Sequence, residues 1–368
     1  MATIKDIAKQ AGVSYSTVSI VLGNRSTKLS VSASTRQHIL AVASHLGYRR
    51  NALASQMQSG RSGFLSFIAN NIRQENVFRI FVGAVRSAAE SNYTLKLHDL
   101  PFSSDEFSKN EASVRQLYDQ IIELRPEGIM VNYDLPSSDY LLAIAHSLKI
   151  PVACSDCNSQ TPFDFSLVFD EAGGAQQAVS YLANCGYQRL GFLSEPLEKA
   201  YVQRRFNGFK SGLQEHHLPW HPEWVCHSAF NSNQDLSDFL IWLFSQPDPP
   251  EAFCCASDYI ALQAIMILQH LGVKIPEQVA LIGYGNILVS SITRPAISTI
   301  VQDYEAMGQH LFSELLSRIR QPGQPAGQLQ LPTKLLIRQS SAAKPNSPLF
   351  ATEIVKTKPL TQAKTTRK

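Results

Sequence analysis

Basic side chains are concentrated at the two ends of the chain, where they could neutralise a polyanion. Residues 1–62 hold eight Lys or Arg against one acidic residue, a net charge of +7, and residues 342–368 hold six against one, a net charge of +5. Because the whole chain has a net charge of +3, residues 63–341 carry −9. A compact basic head on an acidic body is typical of a protein that binds nucleic acid.

The head also presents hydrogen-bonding side chains at the spacing of one helix face. Tyr15, Ser16 and Ser19 project outward from residues 14–22, whose other face is apolar. Such small or polar groups can approach the edges of bases closely. The basic residues available for phosphates are Lys5, Lys9, Arg36, Arg49 and Arg50.

Three short helices are predicted to position these side chains. Thr3 and Asp6 form a capping pattern for the first helix, which Gly12 ends. The second is the helix with the polar face, and the third begins after Ser32 or Ser34. Two short helices joined by a glycine turn, with a third as brace, place the second helix in a DNA major groove. The alternative is a three-helix cap on an enzyme, with charges that only solvate it.

The head resembles the lactose-repressor (LacI) family of bacterial transcriptional regulators in two stretches, TIKDIAKQAGVSYSTVSIVL and VSASTRQHILAVASHLGYRRNALA. A weaker similarity continues to about residue 341. The resemblance implies an all-α, three-helix helix-turn-helix head at residues 1–50 that binds double-stranded operator DNA, with Tyr15 and Ser16 reading bases. Two departures from the family bear on which operator sequence is recognised. Ile20 stands where the family usually has an arginine that reaches DNA, and Gly23-Asn24 reverses the usual Asn-Gly. The implied DNA-contacting residues are Thr3, Lys5, Ser14, Tyr15, Ser16, Thr17, Ser19, Ile20, Arg49, Asn51, Ala54 and Met57.

A connector at residues 51–62 follows the head. Its first part contains fair helix formers, but an isolated helix of this length is marginal in water. Glycine and serine from residue 60 onward predict a linker boundary there. The resemblance implies a hinge helix that folds when two copies meet in the minor groove, with Met57 wedged into a base step and Ala54 between the paired helices. The alternative is that Met57 is only a linker residue.

The body, residues 63–341, alternates short apolar runs with longer helical segments, the rhythm of β-α-β units. The rhythm begins with a strand at 64–69, restarts with a helix at 173–185, and ends with a helix at about 304–318. We therefore predict an α/β body of two similar lobes with parallel sheets and a ligand cleft at the strand carboxyl ends. The resemblance makes the body similar to periplasmic sugar-binding proteins (type I), with three strands crossing between the lobes.

Enzymatic chemistry is not indicated by the body. GxSxG, the Walker lysine motif, HExxH and GxGxxG do not occur at its strand-to-helix turns, and the ten histidines are scattered. Cys154 and Cys157 form a lone CxxC, which cannot complete a four-ligand zinc site, and the six cysteines show no disulfide framework. We predict no catalytic residue, no metal and no cofactor.

The resemblance implies pocket residues where positions match the family. Asp156 fits an aspartate at the end of a strand, Arg205 a ligand-gripping arginine, and Phe230 an aromatic wall. An Asp and an Arg can hydrogen-bond vicinal hydroxyls or pair with an anionic ligand. The alternatives are surface ion pairs and a core aromatic residue.

Departures from the family weaken ordinary hexose recognition. Gly285 replaces a carboxylate that sugar-sensing relatives use, and Asp258 fits an N-cap of the following helix as well as it fits a ligand site. The predicted effector-binding residues are Asn76, Asp156, Arg205, Phe230, Ser257 and Gly285.

These features together predict a sequence-specific DNA-binding transcriptional regulator, a repressor controlled by a small polar effector such as a sugar or sugar derivative. Palindromic half-sites require a two-fold protein, so we expect a homodimer. One alternative is the same DNA-binding fold regulated by a partner protein or without any ligand. Another is a sugar-modifying enzyme fused to a DNA-binding head, which the missing catalytic motifs disfavour.

The cellular location and the tail follow from composition. No run of about 18 apolar residues occurs, and the polar start MATIKDIAKQ lacks an export signal, so we expect a soluble cytoplasmic protein without a membrane partner. Residues 342–368 contain three prolines, many Thr and Lys, and no leucine heptad. We expect this tail to be disordered, with a weak non-specific attraction to DNA.

Overall fold

The computed structural model of the protein describes residues 2–23, 31–49, 61–100, 111–133, 135–157, 162–227 and 233–341. The chain divides into two compact units, a head up to Gly63 and a body from Phe64 onward. None of the helices in these ranges is long and apolar enough to span a membrane. Several predicted features lie outside the described residues, namely the hinge residues Asn51, Ala54 and Met57, the pocket residue Phe230, and the tail 342–368.

Three helices form the head, α1 (Ile4–Ala11), α2 (Tyr15–Gly23) and α3 (Ala33–His45). The predicted cap of α1 is confirmed, because Thr3 and Asp6 form a reciprocal capping box. Gly12 ends α1 with a φ of 65°, and Ser32 caps α3 by accepting a bond from the Thr35 N–H. The helices bury one small apolar cluster of Ile7, Ala11, Val18, Val21, Ile39 and Ala43.

The first lobe of the body is a six-stranded sheet in which every neighbouring pair is parallel. Its strands are β1 (Phe64–Asn70), β2 (Thr94–Leu100), β3 (Ile129–Asn132), β4 (Val152–Ser155), β5 (Phe165–Phe169) and β11 (Gly327–Leu331), in the order β2-β1-β3-β4-β5-β11. The helices of this lobe are α4 (Glu75–Glu90), α5 (Glu111–Glu123), α6 (Ser138–Ser147) and α12 (Tyr304–Arg320). Apolar clusters cover both faces of the sheet, as expected for parallel strands.

The second lobe repeats this plan. Its strands are β6 (Leu190–Ser194), β7 (Val225–His227), β8 (Ala252–Cys255), β9 (Ala280–Gly285), β10 (Ser298–Val301) and β12 (Lys334–Leu336), in the order β7-β6-β8-β9-β10-β12. Only the β10–β12 pair is antiparallel among the described strands of this sheet. The helices are α7 (Glu171–Asn184), α8 (Ala200–Glu215), α9 (Asn233–Phe244), α10 (Asp258–His270) and α11 (Leu288–Ile292).

Three connections cross between the lobes, from β5 to α7, from β10 to α12, and from β11 to β12. The predicted fold class, an all-α head with a two-lobed α/β body of parallel sheets, is confirmed. The elements that the sequence patterns did not predict are β5, β10, the two edge strands β11 and β12, and the short helix α11.

Glycines let the helices next to the crossings pack closely. A Cβ at Gly308 of α12 would overlap the carbonyl oxygen of Ile80 in α4, and one at Gly83 would overlap that of Glu305. In the second lobe a Cβ at Gly208 of α8 would overlap the carbonyl oxygen of Ala172 in α7. The Gly208 contact fixes α8 against α7, and both of these helices supply side chains to the cleft between the lobes.

Candidate functional sites

The start of α2 presents hydrogen-bonding side chains to solvent. Ser14, Tyr15 and Ser16 are exposed, and Tyr15 retains 45% of its accessible surface. The Ser14 Oγ caps the helix by accepting from the Thr17 N–H over 3.1 Å, and it lies 2.7 Å from the Ser16 Oγ. This network holds the serines against the backbone, so the Tyr15 ring is the part of this end most available to another molecule.

The remaining predicted DNA-contacting residues of the head differ in exposure. Lys5 and Arg49 are exposed, whereas Thr17, Ser19 and Ile20 are half-buried. The Thr3 hydroxyl is exposed but donates to the Asp6 carboxylate over 2.8 Å, and the hydrogen bonds from Thr3 lower the pKa of Asp6.

A cavity of about 610 Å³ lies between the two lobes at the carboxyl ends of the strands. This volume is within the range of small-molecule sites. Both lobes contribute polar and aromatic side chains, among them Asn76, Tyr133, Asp156, Glu171, Glu195, Tyr201, Arg205, Ser257, Asp258, Tyr284, Gln302 and Tyr304.

Arg205 of α8 is buried and engaged in a network of protein acceptors. Its Nε donates to Glu171 Oε2 over 2.6 Å and its Nη2 to Glu171 Oε1 over 3.1 Å. Nη2 also donates to Gln302 Oε1, and Nη1 donates to the carbonyl oxygen of Ala256. The guanidinium stacks over Tyr284, 3.8 Å from the ring centroid. Four of the five guanidinium N–H groups are therefore used within the protein.

Two other buried carboxylates of the cavity keep an oxygen without a partner. Among the described residues no group donates to Asp156 Oδ1 or to Glu195 Oε2. Asp156 follows β4 with a φ of 57°, and Glu195 follows β6. Burial, together with a smaller effect of the nearby Glu171 charge, raises the pKa of Asp156 to about 7, while Arg204 and Arg205 oppose the shift.

Aromatic side chains from both lobes meet beside these carboxylates. The Tyr133 and Tyr201 rings are 6.5 Å apart between centroids, one from each lobe. Asn76 donates to the Tyr133 hydroxyl over 2.7 Å. Burial raises the pKa of Tyr133, and the Asp156 charge adds to this shift. The tyrosines remain neutral and provide rings and hydroxyl groups to the cavity.

The predicted N-cap role of Asp258 is wrong, because α10 is capped by Ser257, whose hydroxyl accepts from the Ile260 N–H. Asp258 is instead buried, where it accepts from the Thr299 hydroxyl over 2.6 Å and from the Ile287 N–H over 2.9 Å. Burial raises the pKa of Asp258 to about 6. The Ser257 hydroxyl also lies 2.8 Å from Glu195 Oε1, to which it donates.

Family models match both units. Residues 3–51 match the bacterial regulatory proteins of the lacI family, and residues 179–341 match a periplasmic binding protein-like domain. The head thus matches the lacI family, and the body from residue 179 onward matches a binding-protein-like fold. This confirms the predicted class, a DNA-binding transcriptional regulator, and it excludes the enzyme alternatives.

Relatives within and near the family match almost the whole chain. The HTH-type transcriptional repressor PurR of Pasteurella multocida is 26% identical over 340 residues, 92% of this chain and 98% of that protein. PurR of Proteus mirabilis is 27% identical over 347 residues, 94% of this chain and 98% of that protein. The lac repressor dimer bound to operator and the anti-inducer ONPF has a TM-score of 0.77 at 23% identity, covering 93% of this chain and 99% of that one. The regulator CelR in complex with cellobiose has a TM-score of 0.66 at 22% identity, covering 93% and 100%.

Most but not all of the predicted pocket residues that the structure describes line the cavity. Asn76, Asp156, Arg205 and Ser257 line the cavity, while Gly285 is not among its lining residues. Gly285 has a φ of 120°, which disfavours any side chain, and a Cβ there would lie 3.1 Å from the Tyr304 hydroxyl. The backbone therefore favours glycine where sugar-sensing relatives have a carboxylate.

Sequence reasoning missed several residues of the cavity. Glu171, Glu195 and Gln302 each follow a strand that ends at the cleft. Polar residues directly after apolar runs are the available signal. The strand β6 was predicted, so this signal could have indicated Glu195, whereas β5 and β10, which precede Glu171 and Gln302, were not predicted. The CxxC cysteines, Cys154 and Cys157, are both buried, and within the described ranges no group of three His, Cys, Asp or Glu is placed to hold a metal.

Proposed function

We propose that the protein is a repressor whose operator binding is controlled by a small polar molecule in the interlobe cleft. The observation that supports effector control is a cavity of ligand size with buried, incompletely partnered carboxylates, Asp156 and Glu195, in a chain that also has a lacI-type head. A ligand that contacts both lobes stabilises the arrangement of the lobes that it binds more tightly. By linkage, it then changes the affinity of the protein for DNA. The PurR relatives are named as repressors, and CelR is seen with cellobiose.

The head contacts DNA through α2 and the basic residues around it. Tyr15 and Ser16 read base edges in the major groove, since they are exposed at the start of the helix. Lys5 and Arg49 are exposed and bind phosphates. The remaining proposed contacts are Thr3, Ser14, Thr17, Ser19, Ile20, Asn51, Ala54 and Met57.

Two copies of the chain act together in the cytoplasm on a two-fold symmetric operator. The lac repressor relative is a dimer on its operator, and paired half-sites match a two-fold protein. In this arrangement residues 51–62 form the hinge between the domains at 1–50 and 63–341. Met57→Gly then lowers affinity for the operator far more than affinity for unrelated DNA, and equal losses on both would exclude the wedge role.

Effector control is tested by the operator affinity of the full chain in the presence of single compounds. The panel holds sugars, sugar phosphates, nucleosides and amines, and the operator is one selected from random duplexes. At least one compound should change the dissociation constant by about 5- to 150-fold. If the whole panel leaves the constant unchanged, effector control is wrong and regulation by a partner protein or by no ligand becomes the better account.

A further inference from the structure

The cleft contains more buried carboxyl groups than its own cations pair with. Arg205 is paired with Glu171, and Asp258 is satisfied by Thr299 and Ile287. Asp156 and Glu195 remain, one from each lobe. Asp156 is 9% exposed and Glu195 1% exposed. A buried carboxylate oxygen without a donor is costly, so both positions favour a ligand that supplies donors.

The nearby cations do not fill this role in the described structure. The Arg204 charge lowers the pKa of Asp156, but the Arg204 Nε and Nη2 form no hydrogen bond to any described group. Arg204 is also not among the residues that line the cavity. Arg73 and Lys199 line the cavity from its exposed rim. Arg204 therefore opposes the rise in the pKa of Asp156 without supplying the missing donor.

The aromatic rings beside the carboxylates suit the same type of ligand. Tyr133 and Tyr201 are close enough to Asp156 and Glu195, respectively, for each carboxylate to raise the pKa of its neighbouring phenol, for which burial is the larger cause. The negative faces of such rings attract cations. An ammonium group has three N–H donors and a charge, so it can satisfy both carboxylates, whereas a hydroxyl supplies one donor and no charge.

We propose that the effector of this cleft carries a protonated amine, which binds between Asp156 and Glu195 and so joins the two lobes. This inference rests on the proposed function and narrows it to one chemical class. It also assigns Glu195 a ligand contact for which the sequence analysis gave no indication.

The test is calorimetric titration of the full-length protein with two matched sets of probes. One set is glucosamine, glucose and glucose 6-phosphate, and the other is 1,4-diaminobutane, 1,4-butanediol and succinate. We expect the amine of at least one set to bind about tenfold or more tightly than its neutral and anionic counterparts. Asp156→Asn and Glu195→Gln should each remove most of this preference.

Controls keep the test independent of folding and of the wider proposal. Glu277→Gln replaces an exposed carboxylate of the second lobe and should leave the preference intact. A thermal unfolding transition shows that each variant is folded. If either Asp156→Asn or Glu195→Gln does not fold, the other variant still tests the proposal. A neutral or anionic probe that binds as tightly as its amine overturns the inference but leaves effector control standing. If none of the six probes binds, the amine proposal is also overturned. The operator assay with the wider panel then shows whether effector control is wrong as well.

Discussion

The head and the cleft place their functional side chains in opposite ways. The head exposes Tyr15 and Ser16 on one helix, and the local backbone alone positions them. The cleft buries Asp156, Glu171 and Arg205, which come from two lobes, and Arg205 hydrogen-bonds Glu171 and Gln302, 34 and 97 residues away in sequence. The difference implies that DNA reading can change without affecting stability, whereas most changes in the cleft also change the stability of the body.

This contrast also explains how differently the two sites tolerate departures from the family. Ile20 lies half-buried on α2 without disturbing the caps or the core of the head. Beside the cleft, Gly285 has a positive φ, and a Cβ there would lie 3.1 Å from the hydroxyl of the lining residue Tyr304. A new specificity in the cleft therefore requires several coordinated substitutions, while the head can acquire one through single exposed positions.

The largest expected effect comes from breaking the buried ion pair. Glu171→Ala leaves the Arg205 guanidinium buried without its carboxylate and should lower the free energy of unfolding by about 3 to 5 kcal/mol. Glu111→Ala, which removes the partner of Arg115 in an exposed pair, should cost less than about 1 kcal/mol. Urea denaturation followed by circular dichroism measures both. Equal costs would show that the Glu171 pair is not structural.

The next effect tests the close packing behind the cleft. Gly308→Ala forces α12 away from α4, because the new methyl group overlaps the Ile80 carbonyl oxygen, and should cost about 1 to 3 kcal/mol. Ser313→Ala on an exposed position of the same helix is the matched control and should change stability by less than about 0.5 kcal/mol. A Gly308→Ala variant as stable as the wild type would contradict the packing described here.

The head should show a loss of specificity without a loss of stability. Tyr15→Ala should reduce discrimination between the preferred base pair and its alternatives by about 1 to 3 kcal/mol, since the ring is exposed and free to reach bases. Its unfolding free energy should stay within about 0.5 kcal/mol of the wild type. Competition binding with single-base variants of the operator measures the first quantity, with Gln37→Ala on α3 as control. Unchanged base preference would show that Tyr15 does not read sequence.

The last effect is a change in the slope of stability with pH. The folded protein holds the Asp156 proton up to about pH 7, because burial and Glu171 raise its pKa against Arg204 and Arg205, whereas the unfolded chain releases it near pH 4. Stability from this group therefore falls as pH rises between those values, by at most about 1.4 kcal/mol per pH unit. Asp156→Asn should remove this slope in denaturation series from pH 5 to 8. A wild type and a variant with parallel profiles would contradict the burial described for Asp156.

The sequence predicted the head more completely than the cleft because its signals are local. Thr3, Gly12 and Ser32 each act on neighbours within four residues, so capping and turn chemistry could be recognised directly. Strands β11 and β12 are largely exposed edge strands without an apolar run, and no local pattern indicates them. Asp258 was predicted as the N-cap because Asp is common at the start of a helix, but the hydroxyl of the preceding residue, Ser257, caps α10.

The arrangement of the cleft depends on which strand ends become neighbours, and this is a property of the topology. Glu171 was not recognised because β5 was missed, and its pairing with Arg205 joins α7 to α8. The resemblance indicated Asp156 and Arg205 as pocket residues, and both line the cavity. It could not indicate that Arg205 is already paired, nor that Asp156 lacks a partner.

The central claim, that the head reads DNA sequence as part of a two-fold regulator, is tested most directly by selection of random duplexes with the full-length protein. Fluorescence anisotropy then compares the selected duplex with a shuffled one at several salt concentrations. The account predicts a palindromic site bound about a thousandfold or more tightly than the shuffled duplex, with affinities that fall as salt rises. No enriched sequence, or equal affinity for both duplexes, would contradict it.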